Sequence, residues 1–178
     1  MDDRNRCNWV TDPVLSAYHD EEWGQLPTTD NRWFECLILE TFQAGLSWKT
    51  ILNKRQGFRS AYAGFVVDKV ASFGEQEVDK LLGDPGIVRN RRKIHASIEN
   101  ARVAQEKIAQ YGSLDAYFRS FLSKTEDLLR ELQTSFRAVG PVTAESIAIA
   151  TGLMAAPHDE HCWKHHEDAR KIAHNTQS

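Results

Sequence analysis

The chain has 178 residues, 41% of them hydrophobic, and a formal net charge of -3. That is enough apolar material for one domain with its own core, and the near-neutral balance excludes a globally basic polyanion binder, so any nucleic-acid surface must be local. No apolar run approaches the roughly 20 residues of a membrane span, and the start, MDDRNRCNWV, lacks the basic-then-apolar layout of a secretory signal, which points to a cytoplasmic protein with no membrane partner.

The helical period dominates and predicts an all-α protein. Asp12 and Pro13 open a first helix through VLSAYHDEEW, which Gly24 and Pro27 terminate. Asp30 is the expected N-cap of a second, running to about Ala44 before Gly45. Ser47 is expected to cap a short helix carrying Trp48, Ile51 and Leu52, and a further helix over about 75–82 is closed by GDPG. The segment NRRKIHASIENARVAQEKIAQYG places Ile94, Ile98, Ala101 and Ile108 on one face and ends at Gly112. Two shorter helices follow at about 114–122 and 126–136, and the last starts at Pro141 and stops by Gly152.

Three groups of residues carry chemical content. Cys7 and His19 lie near one chain end and HDEHCWKHH, from His158, near the other. His158 and Cys162 are four apart and would share a helix face, and two thiolates with two imidazoles make a closed, structural zinc shell. His161, His165 and His166 are rival ligands, and a solvated His-rich chain end with core cysteines is the plainer alternative. Cys36 sits inside an apolar helix and reads as core.

The segment SFRAVGPVTAESIAIATGL reads as helix, turn and helix, and the Gly140 and Val142 amides at the second N-terminus suit a phosphate. On this feature alone an ordinary helical corner is the plainer reading. In GIVRNRRKI, Arg89, Arg91, Arg92 and Lys93 crowd a helix start, where cations oppose the dipole and call for an anion. Finally, Trp9, Tyr18, Trp23, Trp33 and Trp48 lie within the first 48 residues, together with Glu40 in the apolar run CLILETFQAGLSW. Flat rings beside a carboxylate suit a planar cation. On the helical wheel Glu40 falls at the edge of the apolar arc beside Trp33, a rim position from which a glutamate reaches water.

The segments DPVLSAYHDEEWG, ETFQAGLSW, GIVRNRRKI and the AVG hairpin, in that order, resemble the 3-methyladenine DNA glycosylase I family of the helix-hairpin-helix DNA glycosylases. The resemblance implies a compact helix-hairpin-helix fold whose terminal segments, about 1–25 and 153–170, are joined by one structural zinc, with the hairpin at about 126–152, as a single domain over 1–178. It implies a monofunctional enzyme, a monomer acting on duplex DNA, that flips an alkylated adenine and hydrolyses its N-glycosidic bond. Zinc ligands carry over to Cys7, His19, His158 and Cys162, the base-recognising acid to Glu40, the stacking ring to Trp48 and the pocket tyrosine to Tyr18, with Trp9 and Trp23 as lining. DNA contacts are expected at Gly140, Val142, Arg89 and Arg91.

The segment before the hairpin, LSKTEDLLRELQTSFRAVG, is shorter than the family's, Phe42 stands where relatives are more often polar, and PHDEHC replaces an Asn-Asp-His run. A catalytically silent binder of alkylated DNA is the alternative reading. A zinc hydrolase with Glu40 as general base is a third, and Asp159 lies where the wider superfamily carries a catalytic aspartate.

Overall fold

The first helix, α1 (Pro13–Glu21), starts where the Asp12 carboxylate accepts hydrogen bonds from the amides of Val14 and Leu15 at 2.9 and 3.1 Å, with Pro13 in the first turn where its missing N–H costs nothing. The computed structural model describes residues 4–165, and these contain nine α-helices, one 3-10 turn and no strand. Thr29, rather than Asp30, caps α2 (Asp30–Gln43): its hydroxyl accepts from Arg32 N. Asp30 is the first helical residue, and its carboxylate instead accepts from Leu114 N at 2.8 Å, tying two helix starts together.

Ser47 caps α3 (Trp48–Ala61) as expected, but the helix runs 14 residues rather than staying short. Two elements carry no periodic signal in the sequence, the 3-10 turn Ala63–Phe65 and the five-residue α4 (Val67–Ala71); neither is long enough to show a hydrophobic period. Then come α5 (Glu75–Gly83), α6 (Arg91–Tyr111), which Gly112 ends at φ 88, and α7 (Leu114–Arg119), shorter than its apolar run suggested.

At the centre is α2, with Trp33, Phe34, Leu37, Ile38 and Phe42 fully buried, and it packs against α3, α6, α7 and α9 (Pro141–Ala150). Trp33 belongs to this core: its ring stacks on Phe118 with centroids 4.7 Å apart and its indole N–H donates to Asp115. Toward the chain's end α8 (Thr125–Ser135) packs on α9 across the turn 136–140, where Ala138 adopts φ 57. Asn100, wholly buried on α6, holds that turn from both sides: its side-chain oxygen accepts from Arg137 N at 2.6 Å and its amide donates to Arg137 O at 3.1 Å.

Replacing Asn100 by Ala strands both Arg137 groups, so Asn100→Ala is expected to cost about 2–4 kcal/mol in urea unfolding. A change below about 0.5 kcal/mol would show that the turn holds its shape unaided.

Candidate active site and metal centre

Three helix segments converge on one cleft. Tyr18 comes from α1, Glu40 from the last turn of α2, and Trp48 is the first residue of α3, brought back by the 44–47 turn, in which Gly45 takes φ 83 and the Gln43 amide donates to Leu46 O at 2.8 Å. The Tyr18 and Trp48 rings lie 5.0 Å apart, and Trp9 meets Trp23 edge-on at 5.1 Å. These residues line a cavity of about 310 Å³, the lower end of the size range of small-molecule sites. The structure thus brings Trp9, Tyr18, Trp23 and Trp48 to one cavity. Gln43 and, from α9 and beyond, Ser146, Ile149 and Pro157 complete the lining. Ser146 and Ile149 are three apart on one helix face, a spacing visible in the sequence but without anything there to say what it faces.

Glu40 sits deeper than the rim position expected of it. It is 6% exposed and accepts no hydrogen bond from the described residues, and burial pushes its carboxyl up to about 8. The helical wheel describes only what α2 buries on its own account; α1, α3 and α9 close over the edge on which Glu40 lies. Beside it the indole N–H of Trp48 is buried without a partner.

The contrast is with two acids that the sequence reading passed over. Glu35, 3% exposed on α2, accepts from Arg32, from Arg55 Nε at 2.8 Å and from Arg59 Nε at 2.8 Å. Glu22 accepts from Arg55 at 2.7 and 2.8 Å and from Arg32 at 2.6 Å. Burial opposes ionisation at Glu22 too, yet the Arg55 and Arg32 guanidiniums hold it down at about 2. This cluster fastens α1, α2 and α3 to one another and leaves Glu40 out.

At the other end of Trp9 and Trp23, the side chains of Cys7, His19, His158 and Cys162 converge, with one donor atom from each lying within 4.8 Å of the others. Cys7 Sγ lies 3.5 Å from His158 Nδ1, and Cys162 Sγ lies 3.4 Å from His19 Nε2 and 3.7 Å from His158 Nδ1. A tetrahedron with Zn–S near 2.3 Å and Zn–N near 2.0–2.1 Å has S···N edges of about 3.6 Å, so the four donors fit such an ion. Asp20, which burial would raise but Arg6 and His19 hold at about 2, accepts from His19 Nδ1 at 2.8 Å and leaves Nε2 as the free donor atom. Burial pushes the Cys7 thiol up to about 11, so a thiolate there calls for a compensating cation.

His158 and Cys162 do not share a helix face: they meet through a turn in which Cys162 N donates to Asp159 O at 2.8 Å. Of the rival histidines, His161 bonds Arg6 O and His165 bonds His158 O, and neither joins the group; His166 lies outside the described residues. Asp159 is occupied by the Asn8 amide at 2.7 Å and by its own N–H to Cys7 Sγ.

The residues expected to meet DNA lie away from the cleft lining. Gly140 begins α9 with no side-chain cap, and Val142 is 78% exposed beside those free amides. Arg89 and Arg91 are exposed at the start of α6, where Arg91 makes only a 3.6 Å contact with exposed Asp79. Lys93 is different: its ammonium turns inward and donates to Phe42 O and Ala44 O at 2.8 and 2.7 Å, capping the C-terminal end of α2 just beyond Glu40.

A family model described as methyladenine glycosylase matches residues 9–156. The chain belongs to the methyladenine glycosylase family. It is 49% identical over 98 residues to DNA-3-methyladenine glycosylase 1 of Escherichia coli (strain K12), an alignment covering 54% of this chain and 52% of that protein. The chain thus spans about half the length of the curated relatives that it matches. Among solved structures, a crystal structure of 3-methyladenine DNA glycosylase I superposes with TM-score 0.82 at 33% identity, covering 89% of this chain and 98% of that one. The Staphylococcus aureus enzyme, solved for the structural basis of its 3-methyladenine recognition, gives TM-score 0.81 at 32% identity, over 90% and 96%.

Two outcomes are expected here. Chelation of bound metal, or Cys162→Ser, should abolish the cooperative thermal transition or lower it by ten degrees or more, of order the several kcal/mol that structural zinc supplies; an unchanged melt would remove the structural role. Because the folded Glu40 carboxyl titrates near 8 and the unfolded one near 4.5, the folded state holds the extra proton between these values, so this residue costs stability as pH rises from about 4.5 to 8. Glu40→Gln should therefore be more stable than wild type by a few kcal/mol at pH 8.5 and about equal at pH 4, read from chemical unfolding at each pH; no gain at pH 8.5 would place the acid in water.

Proposed function

We propose that this protein is a monofunctional DNA glycosylase that removes 3-methyladenine from alkylated duplex DNA. The observation that carries the reading is Glu40, buried and without a partner among the described residues in a cavity lined by Tyr18 and Trp48, in a chain of the methyladenine glycosylase family. The relatives named above are 3-methyladenine glycosylases.

A base methylated at a ring nitrogen is cationic and already a good leaving group, so selective binding of its charge replaces much of the acid catalysis that a neutral purine needs. The target base leaves the helix and stacks on Trp48, with Tyr18, Trp9 and Trp23 around it, while Glu40 accepts hydrogen bonds from its edge. Water then replaces the base at the sugar carbon, and nearby DNA phosphates stabilise the positive charge that develops there. Leu46, 38% exposed at the tip of the turn leading to Trp48, is an apolar side chain placed to fill the gap that a flipped base leaves. Backbone phosphates are held by the Gly140 and Val142 amides and by Arg89 and Arg91, which fix register without reading sequence.

Cys7, His19, His158 and Cys162 would hold one zinc ion that closes its own shell and joins the chain ends into a single domain. The ion supplies rigidity rather than reaction chemistry, and four protein donors leave no open position for a zinc hydrolase. The enzyme acts as a monomer in the cytoplasm.

The assay is release of free 3-methyladenine from methylated duplex DNA. Wild type should release it, Glu40→Gln should fold yet lose about 10²–10³-fold in rate, and Trp48→Ala should weaken base binding by about 1–3 kcal/mol. Tight binding to an abasic duplex with no base release would favour a silent binder instead, in line with the shortened segment before the hairpin.

A further inference from the structure

Glu40 borders two open spaces. Behind the aromatic cleft lies a smaller chamber of about 140 Å³, and Tyr18, Glu40 and Trp48 line both, so these three side chains form the partition between them. Cys36, one helical turn before Glu40, lines the chamber and not the cleft; Glu22, Arg32 and Arg55 give it polar walls, and exposed Glu21, Gln25 and Thr28 line it too. A space of this size with such walls holds several waters.

We propose that this rear chamber is the route by which Glu40 exchanges its proton with solvent while a base occupies the cleft. The inference rests on the glycosylase reading above. A flipped base fills the front of the pocket and closes that side to water. A cationic base is held by a carboxylate, not by a carboxylic acid, and burial makes the acid the resting form. The O–H bond of Glu40 therefore breaks as the cation is bound, and its proton passes to chamber water and out past Thr28. Once the base leaves as a neutral molecule, the carboxylate takes a proton back by the same path, and no further reactant is needed.

The groups around Glu40 leave it as the one that changes charge. From α1 come Tyr18, which burial raises well above its ordinary value, and exposed Glu21, with Glu22 just past its end; from α2 come Cys36, pushed up to about 12 by burial, and Arg32; from α3 comes Arg55. Glu22 and the two arginines hold one another ionised. The α9 residues Ser146, Ile149 and Ala150 carry no ionisable group.

The test plugs the chamber without touching the cleft. Thr28→Trp lays an indole across the mouth at an exposed position, and Cys36→Leu fills the floor; single-turnover base release from methylated duplex DNA is followed for each between about pH 6.5 and 9.5. At the lower pH most of Glu40 still holds its proton, so both variants should release base about tenfold more slowly than wild type. Near pH 9.5, where Glu40 is already ionised, the difference should shrink to within about twofold. Packing damage would slow release equally at both ends of the range. Equal slowing throughout, or none at low pH, overturns the inference and leaves the glycosylase reading standing. A wild type that releases no base overturns both. If Cys36→Leu shows no cooperative melt, Thr28→Trp alone decides.

Discussion

Much in this protein depends on how positive charge is shared around the ends of α1, α2 and α3. Arg32, Arg55 and Arg59 are all engaged by Glu35 and Glu22, so none of the three pairs with Glu40, five residues past Glu35 on α2. Such a buried cluster is weak evidence for net stability, because desolvation offsets the attraction, but its geometry fixes how the helices sit. Those helices deliver Tyr18, Glu40 and Trp48 to one place. On the proposed reading, a cationic base would supply the charge that Glu40 lacks, and a neutral purine in the same slot would leave the buried acid uncompensated.

The metal centre and the cleft share a wall. Trp9 packs against His19 at 5.4 Å, and Trp23 meets His158 at 4.9 Å, so two of the rings bounding the pocket rest on imidazoles of the Cys2His2 group. Residues 7 and 158 come from opposite ends of the chain, and backbone and side-chain bonds from Trp163 to Asn5 and from Lys164 to His19 reinforce the closure. An ion held there would act on the site indirectly, by holding the segment that carries Trp9.

Legibility in the sequence followed the range of the physics. Caps at Asp12 and Ser47 and the stop at Gly112 are decided within four residues, and each was readable. Thr29 and Asp30 are both good caps standing next to each other, and what chose Thr29 was a distant demand on Asp30, the Leu114 amide. The basic run at 89–93 looked uniform, yet Lys93 is diverted to the α2 carbonyls because α6 and α2 lie side by side. The His158 and Cys162 pairing was found by spacing for the wrong reason, since a turn rather than a helix brings them together.

The sequence by itself determined the helical class and most helix ends, because these depend on residue chemistry and short spacing; the Cys2His2 group and the pocket aromatics were named through the family resemblance, and it is the fold that brings each set together. Only the tertiary structure decided the state of Glu40. Its place on the wheel is at an edge, and an edge is wet or dry according to what packs over it. Here α1, α3 and α9 close above it while the nearby arginines are drawn to Glu22 and Glu35, so an acid that looked free to reach water is left buried and uncompensated.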